Sequence, residues 1–273
     1  MRSYKLPNGE TINIIDKITA DWVYKEIYEE NEYLKFGVEV KDGDTIFDVG
    51  GNIGLFTRFI STQASNLKIF TFEPVPQIFQ VLESNVKDLP AEITKYNVGL
   101  GEKNGSFEVN YYPRASGDST AVPFKMDEKI DSFVENYKEL ICKEMPIAKI
   151  VPKFLRRRVV RAGLKAAYKG EKVMCHLRTI SDIIKENNID IIDLLKIDAE
   201  NYEKWVIAGI SEEDWPKIQQ ISMEVHEHIE GGENLMNEMI ELLESKGFKT
   251  YRGIIGPPNY DSLMGVYMLY AKR

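Results

Sequence analysis

The chain has 273 residues, 43% of them hydrophobic and 29% charged, with a formal net charge of -8. This size and composition suit one α/β domain with a core of its own, and the acidic balance excludes a protein whose whole surface binds nucleic acid. The two cysteines, Cys142 and Cys175, are too few for a disulfide framework and lack metal-ligand spacing.

In chain order, residues 1–40 form a lead-in. Residues 1–15 predict a short hairpin turning at Pro7, Asn8 and Gly9, and residues 21–36 carry Trp22, Tyr24, Ile27 and Tyr28 at helical spacing. An alternation follows: strand 45–48, helix 54–65, strand 68–72, helix 76–88 opening on a proline, and strand 92–98. Short links between alternating strands and helices imply a parallel sheet with right-handed crossovers. The pattern breaks at an extra strand over 105–112, a Gly/Ser/Pro loop over 113–123, and a basic helical insertion over 127–176. It resumes with helix 179–186, strand 191–198, helix 202–208, strand 218–226, helix 233–246, and strands 248–251 and 264–270. This gives seven core strands in a single domain, 1–273, the last two forming an antiparallel pair expected at the sheet edge. No apolar run approaches the roughly 20 residues needed to span a bilayer. The first residues, MRSYKLPNGE, lack the apolar centre of a secretory leader, so a cytoplasmic location is expected.

The first core strand runs into Asp48, Val49, Gly50, Gly51, Asn52, Ile53 and Gly54. A strand entering a glycine turn that opens a helix is a place where a ligand meets the backbone closely, at the carboxyl ends of the strands. A dinucleotide site shares that outline. Here the pattern is D-x-G-x-N-x-G, and an acid before the first glycine repels a pyrophosphate while suiting a cationic amino-acid ligand. S-adenosylmethionine meets that requirement. Glu73, in FTFEP at the end of the next strand, is placed to accept from ribose hydroxyls, a role shared with NAD sites. Pro74 follows it. Asn97, Val98 and Gly99 end the third strand, where an adenine would rest; Asn97 reads equally as a turn residue.

FDVGGNIGLFT, FTFEP, NVGL and LLKIDAENYE, in this order, resemble the FkbM-type methyltransferases. The resemblance covers most of the chain apart from the basic insertion. It implies the class I methyltransferase fold: a Rossmann-like α/β architecture with a seven-stranded sheet, mostly parallel with an antiparallel terminal strand. It implies S-adenosylmethionine as methyl donor, S-adenosylhomocysteine as product, and usually an oxygen acceptor. The branch it resembles acts on polyketide and nonribosomal peptide intermediates, some inside larger synthases. Three positions depart from the family pattern: its Asp-Val-Glu-Gly is Asp198, Ala199, Glu200 and Asn201 here, so the acids match and the glycine does not, and its common Ala is Gly51.

Methyl transfer from a sulfonium is an in-line displacement, and an alcohol acceptor needs a base within hydrogen-bond reach. His226 stands at the carboxyl end of strand 218–226, beside Asp198 at the end of strand 191–198. Glu224 shares its face by the period of two. The catalytic expectation is His226 as general base, Glu224 fixing its tautomer, and Asp198 near the transferred methyl or the cofactor amino group. Asp198, Glu200, Glu224 and His226 are also ligand types for magnesium or manganese, but the metal-free base is preferred. His228 is assigned to an exposed loop and His176 to a position outside the core. Ser119, in the 113–123 loop, is a candidate cofactor contact. Tyr33 and Tyr28 either cap the cofactor's amino-acid end or pack internally.

Between Lys138 and Lys172 the insertion carries eleven basic residues against three glutamates, interleaved with apolar positions such as Phe154, Leu155 and Val159. It is expected to act as a lid and to dock an acidic carrier protein bearing the acceptor, with charge complementarity steering the encounter. A membrane-surface helix is a further reading. The competing functions are an NAD-dependent oxidoreductase on a Rossmann sheet, a non-catalytic relative, and a methyltransferase acting on a sugar or another small molecule.

Overall fold

A computed structural model describes residues 2–122, 125–142, 145–227, 232, 234–254 and 265–273. The lead-in is a hairpin of β1 (Arg2–Lys5) and β2 (Thr11–Ile14), followed by α1 (Lys17–Tyr24). Asp16 caps that helix, its carboxylate accepting from the Thr19 N–H at 2.8 Å. The helix expected over 21–36 is interrupted. It passes into a π turn, Lys25–Glu29, and ends where Asn31 enters the left-handed region at φ 49°, before a 3-10 turn, Glu32–Leu34.

The core begins with β3 (Thr45–Val49), α2 (Leu55–Ile60), β4 (Lys68–Phe72), α3 (Pro76–Asn85) and β5 (Glu92–Tyr96). Then come β6 (Gly99–Leu100), β7 (Gly105–Tyr111), α4 (Met126–Glu135), α5 (Lys153–Ala167) and β8 (Glu171–Arg178). The chain ends with α6 (Ile180–Glu186), β9 (Leu194–Ile197), α7 (Glu203–Ala208), β10 (Gln220–His226), α8 (Leu235–Ser245), β11 (Lys249–Ile254) and β12 (Val266–Lys272). Seven strands make the main sheet in the order β11-β12-β10-β9-β3-β4-β5. β12 is antiparallel to both neighbours, and the other pairings are parallel. The antiparallel strand therefore lies between β10 and β11, one place in from the edge.

Adjacent residues of β3 show why Ile46, Phe47 and Val49 are all apolar. Phe47 packs with the α6, α7 and α8 face, Ile46 with the α1, α2 and α3 face, and both are fully buried. A parallel strand covered on both sides has no polar face to show. Chain order reverses direction between β3 and β9, which opens a crevice at their carboxyl ends.

The insertion is shorter than expected. Residues 171–178 form β8, not helix, and pair antiparallel with β7 and parallel with β6 in a separate three-stranded sheet. Cys175 and Leu177 face inward while Met174 and His176 are exposed, a period of two that overrides the helical reading. The remaining helices α4 and α5 close their own small core around Ile130, Tyr137, Cys142, Ala148 and Val160.

Candidate functional site

The glycine turn is held from two sides. The Gly50 and Gly51 N–H groups donate to the Phe72 carbonyl at 3.0 and 2.9 Å, and the Asp198 N–H donates to the Val49 carbonyl at 3.0 Å. Gly50 takes φ 77°, and a Cβ there would stand 1.7 Å from the Asp198 carbonyl oxygen. Only glycine allows β9 to approach the turn this closely.

Beneath the turn lies a buried polar row. Asp48 and Lys196 are register partners on β3 and β9, and Asp48 and Thr71 on β3 and β4. Lys196 Nζ stands 3.3 Å from Asp48 Oδ1 and donates to the Gly50 carbonyl at 2.9 Å. Thr57 and Thr71 hydroxyls donate to Asp48 Oδ2 at 2.6 and 3.3 Å. Asp48 is thus a structural anchor, not the cofactor contact expected of it: its carboxylate turns inward, where it holds the turn's shape. Burial works against the Lys196 charge, but Asp198 and Asp48 outweigh it and hold the ammonium above its ordinary pKa.

A cleft opens at the carboxyl ends of these strands. Of the expected cofactor contacts, Gly50, Asn52, Glu73, Pro74, Val98, Gly99, Ser119 and Asp198 line it. Glu73 is 5% exposed, and its two oxygens accept from the Asn52 and Val75 N–H groups at 3.1 and 2.9 Å. Burial pushes its carboxyl up to about 7 against the pull of those two donors. Gly51, Gly54, Asn97 and Tyr33 do not line the cleft. Gly54 is the N-cap of α2 at φ 85°. Asn97 acts as the turn residue: its amide donates to the Glu73 and Pro74 carbonyls at 2.8 and 3.1 Å. It fixes the loop that presents Glu73.

The 113–122 loop forms a wall of the cleft. Its Ser116 donates to Asp16 at the head of α1, and its Thr120 hydroxyl donates to the Glu200 carbonyl at 2.6 Å. Ser119 lines the cleft and accepts from the Tyr112 N–H at 3.2 Å.

At the end of β9 the chain turns through two consecutive left-handed residues, Glu200 at φ 46° and Asn201 at φ 75°. Asn tolerates this region best among residues with a side chain, which explains how Asn201 stands where the family pattern has glycine. The turn aims Asp198 and Glu200 into the cleft. His226 lies behind them, 3% exposed. Its Nδ1 is 2.9 Å from Glu203 Oε1, and its Nε2 is 3.8 Å from both Glu200 and Glu224. The residue that fixes the imidazole is therefore Glu203, not Glu224 as expected, because α7 delivers a carboxylate from another element directly to Nδ1. Burial alone would lower the His226 pKa, but Glu203, then Glu200 and Glu224, push it up to about 10.

Glu224 instead accepts from the Tyr33 hydroxyl at 2.6 Å, and that oxygen is also 3.1 Å from Asp198. Burial and Asp198 push Glu224 up to about 7. Tyr33 serves these carboxylates from below, so its part at the site is indirect. Tyr28 packs internally, stacked on Tyr24 at 4.8 Å. His176 is exposed on β8, away from the cleft lining, and His228 lies outside the described residues. Among the described residues no group of three or more His, Cys, Asp or Glu has metal-holding geometry. Glu203 and Lys196 are the site residues that sequence reasoning missed. Lys196 carried a signal, a lone cation inside an apolar run, LLKID.

A reversed strand in a parallel sheet, with a glycine turn and acidic strand ends around one crevice, defines the S-adenosylmethionine-dependent methyltransferases of class I. The chain belongs to the methyltransferase FkbM domain family, which it matches over residues 48–250. It is 32% identical over 248 residues to the 31-O-demethyl-FK506 methyltransferase FkbM of Streptomyces tacrolimicus, covering 91% of this chain and 89% of that protein. It is 28% identical over 248 residues to methyltransferase sdnD of Sordaria araneosa, covering 87% and 85%. It is also 26% identical over 245 residues to the AMB antimetabolite synthetase AmbE of Pseudomonas aeruginosa, which is 89% of this chain and 11% of that protein. The solved structure of a methyltransferase FkbM from Methylobacillus flagellatus aligns with a TM-score of 0.50 at 14% identity, covering 91% of this chain and 47% of that one, a likeness of fold. Among the described residues no helix is long and apolar enough to cross a membrane.

Proposed function

We propose that the chain methylates a hydroxyl group of a natural-product intermediate of polyketide or peptide type. The observation that carries this is the acid–base cluster opening on the cleft: Glu200 at the wall, His226 3.8 Å behind it, and Glu203 on the far ring nitrogen. An alcohol acceptor is neutral near pH 7 and must give up its proton to a base as the methyl group arrives, which is what such a cluster supplies.

The cleft residues fit S-adenosylmethionine. Glu73 offers a buried carboxylate to vicinal hydroxyls, and Gly50 leaves the turn without a side chain where the ligand approaches. Val98 and Gly99 offer an apolar lining for a base, and Ser119 and Asp198 line the same cleft. When bound, the cofactor supplies an electrophilic methyl group on a sulfonium, with S-adenosylhomocysteine as its spent form. The protein's part is to hold the acceptor oxygen in line and to take its proton. Glu200, at the cleft wall with its carboxyl raised by burial, and His226 behind it are the groups placed to take that proton, and Glu224, pushed up to about 7 by burial and Asp198, stands on the same ring nitrogen of His226.

The relatives support the acceptor class. One is by its name a methyltransferase for 31-O-demethyl-FK506, and another places the matching region within a synthetase. The second supports an acceptor tethered to a carrier protein. The test is incubation with S-adenosylmethionine bearing a deuterated methyl group and hydroxylated polyketide and peptide acceptors, free and carrier-tethered. Label bonded to oxygen is expected; label found only on nitrogen or carbon overturns the reading.

A further inference from the structure

We infer that the outer face of α5 is a docking surface for an anionic lipid bilayer. Residues 145–170 contain eight lysines and arginines, no aspartate or glutamate, and no serine, threonine, asparagine or glutamine. In a chain of net charge -8 this stretch holds +8, which leaves -16 on everything else.

Part of that charge is used internally. Arg157 pairs with Asp131, Arg161 Nη2 lies 3.1 Å from Asp127, and the Arg156 guanidinium sits 4.5 Å over the Tyr137 ring. Lys149, Lys153, Arg158, Lys165 and Lys169 form no ion pair among the described residues, so their charge faces solvent. On its inner side α5 buries Val160 against α4. Its outer side presents Phe154, 82% exposed, with Leu155 and Val159 beside Arg158. The 3-10 turn before it, Pro146–Ile150, adds Ile147 at 71% and Ile150 at 78% exposure.

These are protruding apolar tips, not a recessed groove. A protein partner is met through a packed apolar patch rimmed by neutral and charged hydrogen-bonding groups. A bilayer surface asks only for cations to meet the headgroups and apolar tips to enter the acyl boundary. This face has those two components alone. The acidic remainder of the chain is repelled by the same lipid, so one orientation is favoured. The acidic carrier domain expected at this insertion is thereby the competing occupant.

The face is coupled to the cleft. The Tyr168 hydroxyl, at the C-terminal end of α5, donates to Asp118, and the next residue, Ser119, lines the cleft. Resting on the proposed methyltransferase reading, docking would hold the cleft close to lipid and select a lipophilic acceptor.

The test spins the full chain with vesicles of phosphatidylcholine alone and of phosphatidylcholine mixed with phosphatidylglycerol. Pelleting is expected only with the mixed vesicles and falls as salt rises. The double variant Ile150→Ser, Phe154→Ser is expected to weaken it about tenfold or more through lost apolar insertion. Its melting temperature and S-adenosylhomocysteine affinity should match the parent, which shows that the fold is intact. Equal pelleting on both vesicle types, no pelleting, or no effect of the double variant overturns the inference. So does saturable binding to an acidic acyl-carrier domain that Arg158→Glu abolishes in the absence of vesicle binding. S-adenosylhomocysteine binding reads the cofactor site separately: its absence in the parent chain counts against the methyltransferase reading and not against docking.

Discussion

His226 Nδ1 and Glu203 Oε1 are 2.9 Å apart and fully enclosed, one at the end of β10 and the other at the first residue of α7. The same oxygen accepts from the Asn201 N–H at 3.1 Å. One carboxylate therefore fixes the imidazole and the left-handed turn that carries Glu200 into the cleft.

The pair makes stability depend on pH in a stated direction. His226 titrates near 10 in the folded chain against an ordinary 6.5. Between those values the folded state binds a proton that the unfolded state lacks, so the contribution is complete below pH 6.5 and is lost as pH rises through about 10. Glu203→Gln removes much of it. Melting curves should show the variant most weakened at the acid end of this window, with the gap closing towards its alkaline end. A gap independent of pH would contradict the assignment.

Glu200→Gln removes the carboxylate that meets the cleft, and His226→Asn removes the charge that organises it. Each should lower kcat by about 10²–10⁴-fold, the range of a lost acid–base group, while S-adenosylhomocysteine affinity stays within a few fold. Loss of affinity in step with kcat would instead make these residues part of cofactor binding.

Lys196 is enclosed with Asp48 and its charge is met by Asp198 as well. Lys196→Met strands the Asp48 carboxylate in the core and should cost about 3–5 kcal/mol, read as a fall in the urea midpoint. Lys196→Met with Asp48→Asn should recover part of that loss. No recovery would mean that the lysine acts through its packing.

The strand and helix alternation was legible because β3, β4, β9 and β10 are rich in apolar residues that pack on both sides of the sheet and are separated by turn residues. The placement of the glycine turn and of Glu73 on the cleft was legible because both stand at the carboxyl ends of strands. β8 was hidden inside a basic stretch whose apolar spacing suited a helix; its inward Cys175 and Leu177 are only two positions. The role of Glu203 was not legible because the contact joins residues 23 apart through the packing of α7 on β10. Asp48 misled for the opposite reason: an acid beside a glycine turn looks like a ligand group, and only its pairing with Lys196 and two threonine hydroxyls shows that it faces inward.

Gly50→Ala places a Cβ against the Asp198 carbonyl oxygen, and the turn must open. The substitution should lower the melting temperature and weaken S-adenosylhomocysteine binding together. Undiminished binding would show that the ligand does not rest on this turn.

Titration calorimetry with S-adenosylhomocysteine and with NAD tests the cofactor cleft most directly, using the parent chain and Glu73→Ala. S-adenosylhomocysteine should bind the parent, with affinity lowered about tenfold or more in Glu73→Ala through loss of a charged hydrogen-bond acceptor, and NAD should give no heat of binding. Binding of NAD without S-adenosylhomocysteine, or an affinity that Glu73→Ala leaves unchanged, would contradict the assignment of this cleft.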